Sequence, residues 1–138
     1  MQTFLPYQDF DKSAKVLDYR RLGKQRLEAM QLVNSIIKLS QNPDAKVGWH
    51  NHPARRMWVG YLDGLKYYCN VMIQEWINRG YNNNMAKYDL PNKFDLPSWI
   101  GDERIHSSHR SNLLRKDFLY YSKYGWTESP DVAYFWPV

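Results

Sequence analysis

Residues 13–39, SAKVLDYRRLGKQRLEAMQLVNSIIKL, return an apolar side chain every three or four positions, at Val16, Leu17, Leu22, Leu27, Met30, Val33, Ile36 and Ile37. That period matches the repeat of a helix with one buried stripe. The spacing therefore predicts a single helix from about Ser13 to Leu39, with Ser13 or Asp11 at its start. Gly23 interrupts it, at about 1 kcal/mol relative to alanine. A tight helix crossing or close approach to a phosphate would each account for a glycine there.

Two further helices follow from the same logic. Met57, Trp58, Tyr61, Leu65, Tyr68, Met72, Trp76 and Ile77 keep helical spacing. Pro53 suits a first turn, with Asn51 or His52 flanking it, and Arg79-Gly80 supplies a basic last turn and a left-handed stop. The connection Gln41–Asn51 and the Asn-, Pro- and Asp-rich stretch Tyr81–Pro97 read as loops, the latter with room for one helical turn. A third helix is expected from Gly101 or Asp102 to Lys116, with Asp102 and Glu103 at its positive end. The fold class is all-α: three main helices with long loops and an aromatic C-terminal tail, forming one domain over residues 1–138.

Composition limits the function classes. The chain is 43% hydrophobic without a run that would span a bilayer, and Cys69 is its one cysteine. Residues 1–10 lack the pattern of a secretory signal. A soluble, cytoplasmic, monomeric protein without cofactor is expected. No GxxxxGK[ST], GxGxxG or GxSxG pattern occurs, which disfavours ATP-driven and acyl-transfer roles. His50, His52, His106 and His109 have the wrong spacing for the familiar zinc pairs, so no metal site is expected.

Lys plus Arg exceed Asp plus Glu by 19 to 14, and the excess is clustered. Arg20, Arg21, Lys24 and Arg26 form one basic stretch and Arg104, Arg110, Arg115 and Lys116 another, a distribution that favours a polyanion. A solvated helix face explains the first stretch equally well. On the third helix His106, His109, Arg110 and Leu113 share a side, among Ser107, Ser108, Ser111 and Asn112. These residue types suit phosphate contact, with internal capping as the alternative.

Several stretches resemble the phage pyrimidine-dimer DNA glycosylase/lyases of the endonuclease V type. Leu17-Asp18-Tyr19-Arg20 through Arg26 is similar to that family's first-helix motif. Met57-Trp58-Val59-Gly60-Tyr61 leading to Glu75-Trp76-Ile77-Asn78-Arg79-Gly80-Tyr81-Asn82 resembles its second helix. His109-Arg110 through Tyr120-Tyr121-Ser122-Lys123-Tyr124-Gly125 resembles its third helix and DNA-gripping loop. Leu22-Gly23-Lys24-Gln25-Arg26, His52-Pro53-Ala54, Met57-Trp58 and Trp136-Pro137-Val138 are closer still to a divergent branch grouped with that family.

The resemblance implies an all-α fold, duplex DNA as partner and glycosylase activity on damaged pyrimidines. In such enzymes an N-terminal α-amine attacks the sugar C1′ to form a Schiff base, and a first-helix glutamate assists. This chain departs from that pattern in two places. Gln2 is too large for the usual trimming enzyme, so Met1 is expected to remain and supply the amine. Arg21 stands where the glutamate would be, leaving Glu28 or Asp18 as substitutes, with Glu28 preferred; Lys24 is a second candidate amine. Expected DNA contacts are Arg20, Arg21, Lys24, Arg26, His106, His109, Arg110, Arg115, Lys116 and Trp126. Rival readings are a catalytically silent DNA-binding module, a glycosylase for a modified base, and a protein-interaction adaptor.

Overall fold

The computed structural model describes residues 1–48 and 50–138; Trp49, within the Gln41–Asn51 connection, lies outside them. The described residues form helices and loops without a strand. In chain order the helices are α1 (Phe10–Val16), α2 (Tyr19–Gln41), α3 (Pro53–Arg56), α4 (Leu62–Asn78), α5 (Glu103–Lys116) and α6 (Phe118–Tyr121), followed by a 3-10 turn over Ser122–Tyr124. None is long and apolar enough to cross a membrane among the described residues.

The predicted first helix is two helices. Leu17 and Asp18 are extended, and the Asp18 carboxylate accepts from Arg21 N at 3.3 Å as the N-cap of α2. A short acidic side chain in the middle of an apolar pattern competes for backbone donors and favours such a break. The cap of α1 is Asp9, bonded to Lys12 N, in place of Ser13 or Asp11. The buried stripe of α2 is also turned from the expected register: Leu22, Ala29, Leu32, Val33 and Ile36 face inward while Leu27 is exposed.

The second predicted helix is divided as well. His52 caps α3 through Nδ1 and Pro53 opens it. The chain then turns at Gly60, whose φ of 88° lies in the left-handed region, before α4 begins. The turn seats the Trp58 indole, fully buried, 5.0 Å from Trp99 and 6.0 Å from Tyr68 between ring centroids. At the far end Arg79 and Gly80 (φ 87°) close α4 as the sequence indicates. Tyr81–Pro97 contains no helical turn; Asn70 holds it by pairing with both backbone groups of Tyr88 at 2.8 and 2.9 Å.

The core lies where α2 crosses α4, joining Leu22, Leu32 and Val33 to Leu65, Tyr68, Met72 and Ile73. Through this core runs a non-helical segment, Gln2–Leu5, each residue of which is buried. Its polar backbone is matched by side chains. Phe4 N donates to Gln25 Oε1 (2.9 Å) and Leu5 N to His109 Nδ1 (2.9 Å), while Phe4 O accepts from Tyr68 Oη (2.9 Å) and Leu5 O pairs with His106 Nδ1 (2.8 Å). Thr3 Oγ1 accepts from the Trp58 indole at 3.0 Å.

Gly23 resolves the open alternative in favour of a helix crossing. A Cβ built on it would stand 2.8 Å from Trp76 Cζ3, and Trp76 is fixed by its bond to Asn82 O, by Tyr81 and by the Arg26 guanidinium over its face. Gly23→Ala is expected to destabilise the protein by about 1 kcal/mol net, overpacking of about 1–3 kcal/mol being partly offset by helix propensity. Urea denaturation checks this; in a Trp76→Leu background the penalty should disappear.

Candidate active site

The N-terminal segment emerges from the core beside α2, and a cavity of about 750 Å³ opens there. That size is within the roughly 300–1,000 Å³ usual for small-molecule and cofactor pockets. Met1 and Gln2 line it together with Asp18, Arg20, Arg21, Lys24, Gln25 and Glu28 from the start of α2. Lys116, Asp117 and Tyr120 come from the end of α5 and from α6, and Phe4, Tyr19 and Tyr134 add aromatic surface.

Its charges are arranged in pairs. Arg21 Nη1 meets Asp18 Oδ1 at 3.1 Å, and Lys24 Nζ stands 3.7 Å from Glu28 Oε1. Among the described residues Arg20 and Lys116 form no ion pair, so they present uncompensated positive charge at the cavity. Partial burial, with Arg21, Arg115 and Lys24 close by, lowers the pKa of Lys116, Glu28 opposing. Burial alone would raise Asp18, but hydrogen bonds from Tyr121 and Arg21 hold it below the usual carboxylate range.

Gln25 is the residue that ties this site to the core. Its Oε1 accepts from Phe4 N and shares the single Tyr68 Oη proton (2.5 Å) with Phe4 O, and its Nε2 donates to Gln2 O (2.8 Å) and Glu28 Oε2 (3.2 Å). One buried amide therefore positions both the segment that carries Met1 and the Glu28 carboxylate. The sequence carried a signal for it: Leu22, Gln25, Ala29, Leu32 and Ile36 follow three- and four-residue steps, which puts a glutamine on the buried stripe. Tyr68, Tyr121 and Tyr134, which also shape the site, had no such mark among the many aromatics.

Of the residues expected at the site, Met1, Arg20, Arg21, Lys24, Glu28 and Lys116 converge on the cavity. Arg26 points elsewhere, donating to Asn83 Oδ1 at 2.7 Å. Arg115 adjoins Lys116 but donates to Asn112 Oδ1. Trp126 does not line the cavity; it stacks on Tyr121 and donates to Tyr7 Oη at 2.7 Å.

The predicted phosphate face of α5 is turned inward. His106 Nε2 accepts from Gly101 N (3.0 Å), so its Nδ1 carries the proton and donates to Leu5 O; His109 accepts from Leu5 N. Arg110 donates to Pro6 O (2.7 Å) and lies between Glu103 and Glu128. Ser108 and Ser111 accept from Phe135 N and Val132 N, and Asn112 donates to Val132 O. A helix side rich in His, Ser, Asn and Arg has here been used to satisfy non-helical backbone, the capping alternative of the sequence reading.

This burial generates a pH dependence. Desolvation, then the nearness of His106 and Arg110, takes the His109 pKa from 6.5 down to about 3. The unfolded chain binds that proton near 6.5 and the folded chain does not. Stability is thus complete above the unfolded value and declines as pH falls toward the folded one, by up to about 1.4 kcal/mol per pH unit. His52, lowered by burial and the neighbouring Met1 amine, acts in the same direction. Urea midpoints should fall between about pH 7 and about pH 5, before carboxylates titrate, and His109→Asn should flatten most of that slope.

Nothing among the curated proteins and nothing among the solved structures matches this chain. A protein-family model described as pyrimidine dimer DNA glycosylase matches residues 1–89. The matched stretch contains the buried N-terminal segment, α1 to α4, and every cavity residue from Met1 to Glu28; Lys116, Asp117, Tyr120 and Tyr134 lie beyond it. Because that match takes in well over half of its 138 residues, the chain belongs to the pyrimidine dimer DNA glycosylase family.

Proposed function

We propose that this protein excises a damaged or modified pyrimidine from duplex DNA through attack by the Met1 α-amine, and that abasic-site lyase activity follows from the same intermediate. The observation that carries this reading is the shared cavity: Met1, the Glu28 carboxylate and the basic groups Arg20, Arg21, Lys24 and Lys116 all border it. α-Amines as a class titrate at about 7.7–8.0 against about 10.4 for lysine, so a useful fraction is neutral near pH 7.

The amine nitrogen bonds to C1′ as the C1′–N1 glycosidic bond breaks, and the base leaves with that electron pair and takes a proton from water. Glu28 accepts the proton released by the amine and returns it to O4′ as the sugar ring opens, leaving an iminium at C1′. Loss of a C2′ proton then expels the 3′ phosphate and cuts the strand. Asp18, held by Tyr121 and Arg21, keeps the start of α2 in place. Arg20, Arg21, Lys24 and Lys116 neutralise the flanking phosphates, and extrusion of the nucleotide is cheapest at a damaged site.

A second reading, a DNA-binding module without catalysis, is favoured by two observations: Arg21 stands where the resemblance expects the glutamate, and Lys24 pairs with Glu28 at 3.7 Å. Borohydride trapping on abasic duplex DNA, with peptide mapping of the adduct, separates the two. The adduct is expected on the Met1 peptide, and Glu28→Gln should slow incision by about 10²-fold or more with binding retained. An adduct on Lys24 or Lys116 would displace Met1 from its role; no adduct with binding intact would favour the silent module. Dimer-containing and single-base-lesion duplexes, compared side by side, separate a photodimer enzyme from one for modified bases.

Affinity should also fall steeply with salt. Arg20→Ala and Lys116→Ala should each reduce the slope of log K against log salt by about one. An adaptor protein would bind duplex weakly at every salt concentration.

A further inference from the structure

The apolar tip of α6 lies outside the cavity lining. Leu119 is 89% exposed and Phe118 58% exposed, side by side, in a chain where most large apolar residues are covered. Both belong to a single helical turn whose neighbours Asp117 and Tyr120 line the cavity.

This turn is mounted rigidly. Asp117 caps it through Tyr120 N at 3.2 Å. Tyr121 is fully buried, its hydroxyl donating to the Asp18 carboxylate and accepting from Asp18 N at 3.1 Å. The Tyr121 ring stacks on Trp126 with centroids 5.6 Å apart and planes 11° from parallel. At roughly 100° per helical residue, Leu119 lies about 200° around the turn from Tyr121, so the bond that fixes Tyr121 inward aims Leu119 outward.

The surroundings select the occupant. Lys116 enters the cavity one residue before Asp117, and the Lys123 ammonium lies 3.9 Å from the Tyr120 ring centroid. An apolar turn flanked in the chain by a cation on each side, Lys116 and Lys123, fits a surface that is anionic at its edges and apolar between its layers, as a stacked base step is. The cavity that this turn adjoins is bordered by Arg20, Arg21, Lys24 and Lys116, which matches the phosphates on either side of such a step.

We infer that α6 is a wedge: Leu119, supported by Phe118, inserts between base pairs next to the lesion, unstacking the nucleotide that the adjacent cavity receives. This rests on duplex DNA being the substrate. It adds to that reading a residue that opens the duplex, outside the stretch matched by the family model. Pre-organisation on a buried tyrosine removes the cost of ordering the tip on binding.

The test uses the whole chain and a duplex carrying one abasic site with 2-aminopurine as the adjacent base, whose fluorescence rises on unstacking. Incision of the same strand without its complement is measured in parallel. Saturating wild-type protein should brighten the probe. Leu119→Ala should reduce that rise about fivefold or more and lower the ratio of duplex to single-strand incision about tenfold, with Leu119→Met restoring much of both. Leu119 is almost fully exposed, so thermal melting should be unchanged and certifies the variant as folded.

A probe as bright with Leu119→Ala as with wild type, or dark with saturating wild type, overturns the wedge. Brightening without incision of either strand supports the wedge and removes the catalytic reading. Incision with a dark probe does the reverse.

Discussion

The structure depends on burying a non-helical segment, Gln2–Leu5, inside an all-helical core. Helices satisfy their own backbone; a non-helical segment does not, and each unpaired buried amide or carbonyl costs about 1–3 kcal/mol. Gln25 from α2, Tyr68 from α4 and His106 and His109 from α5 supply the missing partners. The three longest helices are thereby fixed around one short piece of chain. The polar residues that would be hardest to place in a core are the ones that this segment requires.

The same arrangement places the site. Met1 is carried to the cavity by a buried, hydrogen-bonded segment, and Gln25 couples that segment to Glu28. Asp18 joins the other side: it caps α2, pairs with Arg21 and receives the Tyr121 hydroxyl, so one carboxylate links the start of α2 to the α6 turn. Low-dielectric surroundings strengthen such bonds and also make their loss expensive. The cavity is thus bounded by two buried hydrogen-bonded groups, while Arg20 and Lys116 at its border carry no ion pair among the described residues.

The fate of α5 shows how one pattern of residues supports two physical uses. Histidine, serine, asparagine and arginine at helical spacing are equally apt for phosphate oxygens and for backbone groups of the chain itself. Here Leu5, Pro6, Val132 and Phe135 take them, so the terminal stretches at both ends of the chain are held by one helix. Burial keeps the His109 imidazole neutral, which a phosphate ligand at neutral pH would not require.

The sequence by itself determined the all-helical class, the approximate course of the long helices, the start at Pro53 and the stop at Arg79-Gly80, the third helix up to Lys116, and the cluster Arg20, Arg21 and Lys24 on α2, because periodicity, capping and charge are local properties. It did not reveal the breaks at Asp18 and Gly60 or the true stripe of α2, since an apolar period continues through a capped interruption when both pieces pack on one core. Only the tertiary structure decided that Gly23 serves Trp76, that α5 faces inward, and that Lys116 meets Met1 and Glu28 across a cavity. Those outcomes turn on which buried donor finds which acceptor between residues far apart in the chain, as Leu5 and His109 are at 104 positions, and no local pattern encodes that pairing.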